Sequence, residues 1–435
     1  MKITLLEIKT NKRQCINKDF MGGYGWAFSA GNSFRANLIN GVKKWGENLP
    51  IMSLGYLAAI FHRNGHSVEY LVNKVPHSDL VIIPSSMVDY KHEINWAREI
   101  RKKGIKVGFL GPFSSVMPEL FLENSDFVVG GEPEEIAEKI SDKWVPEGFI
   151  RSNPIKDLDA LPFPKWDIFN ISEYSYVPAL KETPFLPILS SRGCSFTCSY
   201  CPYLVNYTWR ERSSKNVLEE IEFLVDRFKI KGMLFRDPLF SLNKKRTIEI
   251  AEGIIQRNYK LKWACETRLD LLDEKFIDIL YASGLRVINV GIESADSTVL
   301  EKASRRPIST EHQEKIIRYC EKKGVRVTVF YILGLPDDTE ESIAKTIKYA
   351  KKLNTHVAQF FIFTPFPGTR YFESIKEQIE EKDWEKFDCY TPVFKHKNIT
   401  NNRLLELKEM AFLSYYYRPA WALKFIKRMI RDVWS

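Results

Sequence analysis

The chemistry of this sequence concentrates in SSRGCSFTCSYCPY, where Cys194, Cys198 and Cys201 stand with three and then two residues between them. Three soft thiolates on one short loop suit three irons of a cubane iron–sulfur cluster and leave a fourth iron open to a small bidentate ligand. A structural zinc is the competing chemistry, because cysteines two residues apart are common zinc ligands. Such a site wants four closed ligands, and no second Cys or His pair lies nearby. Buried structural cysteines are a third reading, opposed by the Ser, Thr and Gly around them, which predict an exposed loop. The remaining cysteines, 15, 265, 320 and 389, are scattered singly. That pattern is no disulfide framework, and it suits a reducing cytoplasm.

The elements that must hold this loop are read from apolar runs. FLPILSS leads straight into it, and GMLFRDP, KWACETR, VINVGIES, VTVFYILG and AQFFIFTP follow, separated by helical stretches such as VLEEIEFLVDRF and SIAKTIKYAKKL. Six such β/α units predict an open or partial (β/α)6 barrel over residues 186–375, with its chemistry at the C-terminal ends of the strands. The first 145 residues alternate at shorter spacing: KITLLEI, HSVEYLV, DLVIIPSS, KVGFLGP and DFVVGG each end near Gly, Pro or Ser, which predicts a Rossmann-like, doubly wound parallel sheet. Residues 146–185 are Pro-rich and aromatic and read as an ordered linker. Residues 376–435 read as a helical, aromatic and basic segment that Pro419 kinks or divides.

Cys194, Cys198 and Cys201, with the aromatic Tyr200 before the last, resemble the radical S-adenosylmethionine (SAM) signature, and the barrel resembles that superfamily over residues 186–375. The resemblance implies a 4Fe-4S cluster whose open iron is chelated by the amino and carboxylate groups of SAM, and cleavage of SAM to a 5′-deoxyadenosyl radical. It also implies cofactor-holding positions. Asp237 in FRDPLF would accept from the SAM amino group, with a turn or cap role as the alternative. Glu266 and Arg268 follow the third barrel strand, and Arg268 is of the type that pairs a carboxylate bidentately. Glu293 in GIES would lie near the ribose, beside Ser294 and Asp296 that can cap the next helix. Gly334 sits in the Gly-Leu-Pro turn, and Pro365 in TPFPGT would lie against adenine.

The first 145 residues resemble the cobalamin-binding domain that precedes the barrel in one subfamily, with Gly111, Ser114, Gly130, Gly131 and Glu132 on its strand-end loops. The Asp-x-His-x-x-Gly motif is absent, and only NKVPHS separates the second and third strands. Cobalamin and a degenerate, purely structural domain both stay open. Relatives ending in a similar Tyr-x-Arg-Pro segment act on hopanoids, tetrapyrroles and other apolar scaffolds. That implies a small apolar substrate and carbon functionalisation by methylation, cyclisation or carbon–carbon bond formation, with a flavodoxin or ferredoxin as electron donor. Methylthiotransfer is a rival that needs another cluster, which Cys15 alone cannot supply; a zinc-stabilised binding module is another.

Charge excludes less than it first suggests. The formal +9 comes from Lys and Arg interleaved with Asp and Glu, so no nucleic acid is expected. The tail YYYRPAWALKFIKRMIRDVW is basic and aromatic, which predicts either packing on the barrel or peripheral contact with the inner membrane face. No apolar run approaches the roughly 20 residues that span a bilayer.

Overall fold

Parallel sheets are covered on both faces, so their strands read as unbroken apolar runs. The computed structural model of this chain describes residues 1–10, 15–16, 19, 23–43, 47–203 and 208–433; side chains at 15, 16, 43 and 428–433 lie outside that description. Strands β1 (Lys2–Glu7), β2 (Ser67–Val72), β3 (Leu80–Pro84), β4 (Lys106–Leu110), β5 (Phe127–Gly130) and β6 (Gly148–Arg151) form one parallel sheet in the order β2-β1-β3-β4-β5-β6. Alternate residues serve its two faces. Ile3, Leu5, Leu80 and Ile82 share an apolar cluster with the barrel wall, whereas Leu6, Val81, Ile83 and Phe109 pack with Tyr24, Phe363 and Phe387.

The short link between β2 and β3 holds no helix. Asn73 N–H donates to Glu7 O at its start and Asp79 N–H to Lys2 O at its end. Seven extended residues reach about 24 Å, enough to run back along a six-residue strand of about 20 Å. A crossover helix is therefore unnecessary here. Strand β6 was not read from the sequence and falls inside the stretch taken as linker; GFIR is short and mostly exposed, so it carries no apolar run.

Strands β7 (Phe185–Ile188), β8 (Gly232–Phe235), β9 (Lys262–Thr267), β10 (Leu285–Glu293), β11 (Arg326–Leu333) and β12 (Val357–Ile362) pair in chain order, all parallel. Strands β7 and β12 stay at the edges, so the barrel is partial; Pro187 is tolerated in β7 because that strand is an edge. Side-chain caps start its helices. Ser213, Asn243, Asp273, Ser309 and Thr339 each accept a backbone N–H from three residues on, and Thr339 completes a capping box with Ser342. Each cap is worth about 1 kcal/mol and fixes where the chain leaves its loop. At the C-terminus, helices Asn401–Tyr416 and Pro419–Val433 are divided at Pro419. Trp421 Nε1 donates to His356 O, seating the last helix against the start of β12. The side chains of Arg428 and Arg431 in the basic tail lie outside the described residues.

Candidate active site

The cysteine loop leaves the end of β7 through a two-residue antiparallel ladder, Ser191–Arg192 against Arg210–Glu211. Gly193 follows at φ 77, and a Cβ there would stand 2.4 Å from Thr208 O, so only glycine lets the two arms cross this closely. Two further elements brace the loop. Ser199 donates through both N–H and Oγ to Ala303 O, Tyr371 N–H donates to Ser199 O, and Arg370 donates to Thr197 O. Cys198 is buried, and Cys194 and Cys201 are half-buried. Burial pushes the Cys201 thiol up to about 12 and raises Cys194; the neighbouring cysteines add to both shifts, so the three sulfurs share one neighbourhood.

Cations and an acid gather around these sulfurs. Arg305 Nη1 lies 3.9 Å from Cys198 Sγ, while its Nη2 donates to Gly291 O at 2.5 Å and sits 3.2 Å from Glu293 Oε1. Glu293 follows a bulge in β10 and has φ 64, a left-handed conformation that costs a non-glycine residue about 1–2 kcal/mol. Strain of this kind collects at functional sites. Burial raises the Glu293 carboxyl, with Arg305 and Arg268 opposing. Arg268 pairs Asp270 at 2.9 Å, and its guanidinium lies 4.2 Å from the ring centroid of Phe196, between the first two cysteines. Its Nη1 is buried with no hydrogen-bond partner, and so is the hydroxyl of Tyr200.

The radical SAM superfamily profile matches residues 188–350. An uncharacterized methyltransferase of Pyrococcus horikoshii is 30% identical, over 89% of this chain and 94% of its own length. The chain belongs to the radical SAM superfamily. Another relative, the anaerobic magnesium-protoporphyrin IX monomethyl ester cyclase of Rubrivivax gelatinosus, is 30% identical over 62% of this chain but only 48% of its own length. In fold the chain is similar to the radical SAM methyltransferase TsrM from Kitasatospora setae, solved with cobalamin and a 4Fe-4S cluster, at TM-score 0.61 and 19% identity over 87% of this chain and 78% of that one.

This radical SAM protein is therefore an enzyme, and the cofactors of its family are a 4Fe-4S cluster and SAM. Its loop suits the cluster: three thiols share one small volume beside two guanidinium groups. Among the described residues no three His, Cys, Asp or Glu side chains converge as a single metal ion would require. The other positions singled out from the sequence divide. Asp237 is fully buried and engaged by Ser190 N–H at 2.7 Å, Ser190 Oγ at 2.5 Å and Ser191 Oγ at 2.6 Å, so it anchors the arm leading into the loop. Glu266 pairs with Arg236 and lines the barrel cavity. Gly334 N–H donates to Asp338, which belongs to the Gly-Leu-Pro turn itself. Pro365 is buried next to Phe366, on which Tyr24 stacks at 5.0 Å.

The strand-end loops of the first sheet are occupied by the protein. A Cβ on Gly111 would meet Ser85 O at 2.9 Å; Ser114 N–H donates to Ser85 Oγ, and Gly131 N–H to Ser115 Oγ. Glu132 holds Arg210 at 2.5 Å and Arg192 at 3.4 Å, and Glu134 holds Arg192 at 2.7 Å. Burial opposes ionisation of Glu132, but these two cations outweigh it and keep the carboxyl below its usual range. Contacts within the domain thus engage these glycines, while the acids reach across to Arg192 and Arg210 at the barrel, and His77 is exposed. Sequence reading missed Arg192 and Arg305. Arg305 stands in KASRRP, which looks like an ordinary basic helix end.

Proposed function

We propose that this enzyme functionalises an unactivated carbon of a small apolar molecule, with C-methylation favoured over cyclisation or carbon–carbon bond formation by the methyltransferase relative that aligns along nearly its whole length. Cys194, Cys198 and Cys201 hold the cluster. Arg268 pairs the SAM carboxylate, Glu293 faces the ribose, and Tyr200, Gly334 and Pro365 border the cofactor. When bound, cluster and SAM supply a 5′-deoxyadenosyl radical, for which a flavodoxin or ferredoxin provides the electron. Arg305 offsets negative charge at Cys198, and Asp237 sets the loop's entry. The observation that carries this reading is the pair of buried groups beside the loop, Arg268 Nη1 and Tyr200 Oη, that the protein leaves unmet. A buried unmet donor costs about 1–3 kcal/mol, which a ligand recovers.

Anaerobic turnover tests the reading. Wild-type protein should release 5′-deoxyadenosine, and Cys198→Ser should not. Accumulation of S-adenosylhomocysteine with added cobalamin supports methylation through a corrinoid on the first sheet; 5′-deoxyadenosine alone favours cyclisation or carbon–carbon bond formation. Zinc in place of iron and sulfide overturns the whole reading.

We also place the enzyme in the cytoplasm, touching the inner membrane face. No helix among the described residues is long and apolar enough to cross a membrane. Leu38 and Val42 line the barrel cavity yet are 52% and 76% exposed, and Leu423 and Ile426 are exposed on the last helix, whose Trp421 and Phe425 also line it. Those apolar groups support entry of substrate from a bilayer. A flotation assay with anionic liposomes that shows no association removes this contact.

A further inference from the structure

The barrel contains a cavity that the cysteine loop does not explain. Its volume is about 410 Å³, within the range of small-molecule sites. Its apolar wall comes largely from outside the strands, from Trp26, Phe28, Ile39 and Leu49 on one side and Trp421 and Phe425 on the other. Its inner end is polar and is made by the strands themselves: Arg236 and Glu266, which pair with each other, together with Asn289 and Gln359.

The two amides carry the information. Asn289 is 2% exposed and Gln359 3%. Asn289 Nδ2 donates to Tyr176 Oη at 2.6 Å, which fixes that side chain. Asn289 Oδ1 and Gln359 Oε1 have no hydrogen-bond partner. Native structures leave few buried polar atoms unmet, and two around one cavity mark where a ligand's polar group belongs. Glu266 is matched by Arg236, and Glu47 is a further acid on the lining, so the cavity offers no spare cation to an anionic head.

We infer that the cavity binds an uncharged substrate with an apolar body and a hydroxyl head, and that Asn289 and Gln359 select the head; the inference rests on the apolar-substrate reading above and specifies it. A hydroxyl donates to one amide oxygen and accepts as well. An ether has no proton to give. A carboxylate would face two carbonyl oxygens and Glu266.

Trp26 and Trp421 line the cavity, so tryptophan fluorescence of the full chain reports binding directly. The probes are adamantanemethanol, its methyl ether and adamantanecarboxylate. The alcohol should bind about tenfold more tightly than either, the value of one hydrogen bond to a buried acceptor. Asn289→Leu and Gln359→Met should abolish that preference while the ether's affinity and the iron content stay constant. Preference for the carboxylate, equal binding of all three, or folded variants that keep the preference would each overturn the inference, as would no binding to wild-type protein that cleaves SAM. The wild-type preference is decisive even where a variant does not fold. Alcohol selectivity in a protein unable to cleave SAM would instead sink the radical reading alone.

Discussion

The two parallel sheets use most of their buried polar groups differently, although Glu134 Oε2 and Ser152 Oγ after strands of the first are also unmet. At the strand ends of the first, protein meets protein: Ser85 with Ser114, Ser115 with Gly131, and Glu132 and Glu134 with Arg192. In the second, Arg268 Nη1, Tyr200 Oη, Asn289 Oδ1 and Gln359 Oε1 are buried and unmet. Both sheets share one architecture, so strand ends alone do not mark a working site. Where the unmet groups gather is what differs: Arg268 and Tyr200 stand at the cysteine loop and Asn289 and Gln359 line the cavity, whereas the acids after β5 reach Arg192 and brace the loop.

That contrast can be broken most sharply at Arg192. Arg192→Leu strands the carboxylate of Glu134 in the interior, while Glu132 keeps Arg210, and should lower stability by about 3–5 kcal/mol in chemical denaturation, with loss of iron. An unchanged midpoint would mean that the first sheet does not hold the loop. Lys408 offers the next largest effect, as a buried cation outside both sets. Its amine donates to Tyr390 O and burial depresses it to about 8, with Asp388 and Glu409 opposing. Between about 8 and the unfolded value of 10.5, only the unfolded chain keeps that proton, so stability rises with pH across this window. At pH 7 the buried charge costs about 3 kcal/mol. Lys408→Met should therefore be the more stable protein at pH 7, with an advantage that shrinks from pH 8 upward in paired thermal melts.

Effects on the unmet groups should appear in binding before stability. Arg268→Met should weaken SAM by about 2 kcal/mol, roughly 30-fold in Kd by equilibrium dialysis. Asn289→Leu should change stability by less than about 1 kcal/mol, because the lost bond to Tyr176 is offset by removing an unmet carbonyl. A large loss there would show that Asn289 is scaffold.

Much of the architecture was legible because strands buried on both faces announce themselves: LVIIP and GMLF are apolar end to end and closed by turn residues. The cysteine loop was equally plain, since its spacing is local. What stayed hidden depends on distance in the chain. Asp237 looked like a cofactor ligand until the fold brought Ser190 and Ser191 onto it across 47 and 46 residues. Arg305 reaches Cys198 over 107 residues. Asn289 did leave a trace: an amide interrupts the otherwise apolar run VINVGI, a choice that packing alone would not make. The lining of the cavity by Trp26, Phe28 and the helix Phe34–Lys43 had no signal beyond scattered aromatics.

The Arg192 clamp also makes the two halves answer to each other. An event on the β5 loop that shifts Glu132 or Glu134 pulls on the arm that carries the first cysteine. Were a ligand to bind at that loop, thermodynamic reciprocity would require it and the cofactor at the cysteines to change each other's affinity by the same factor.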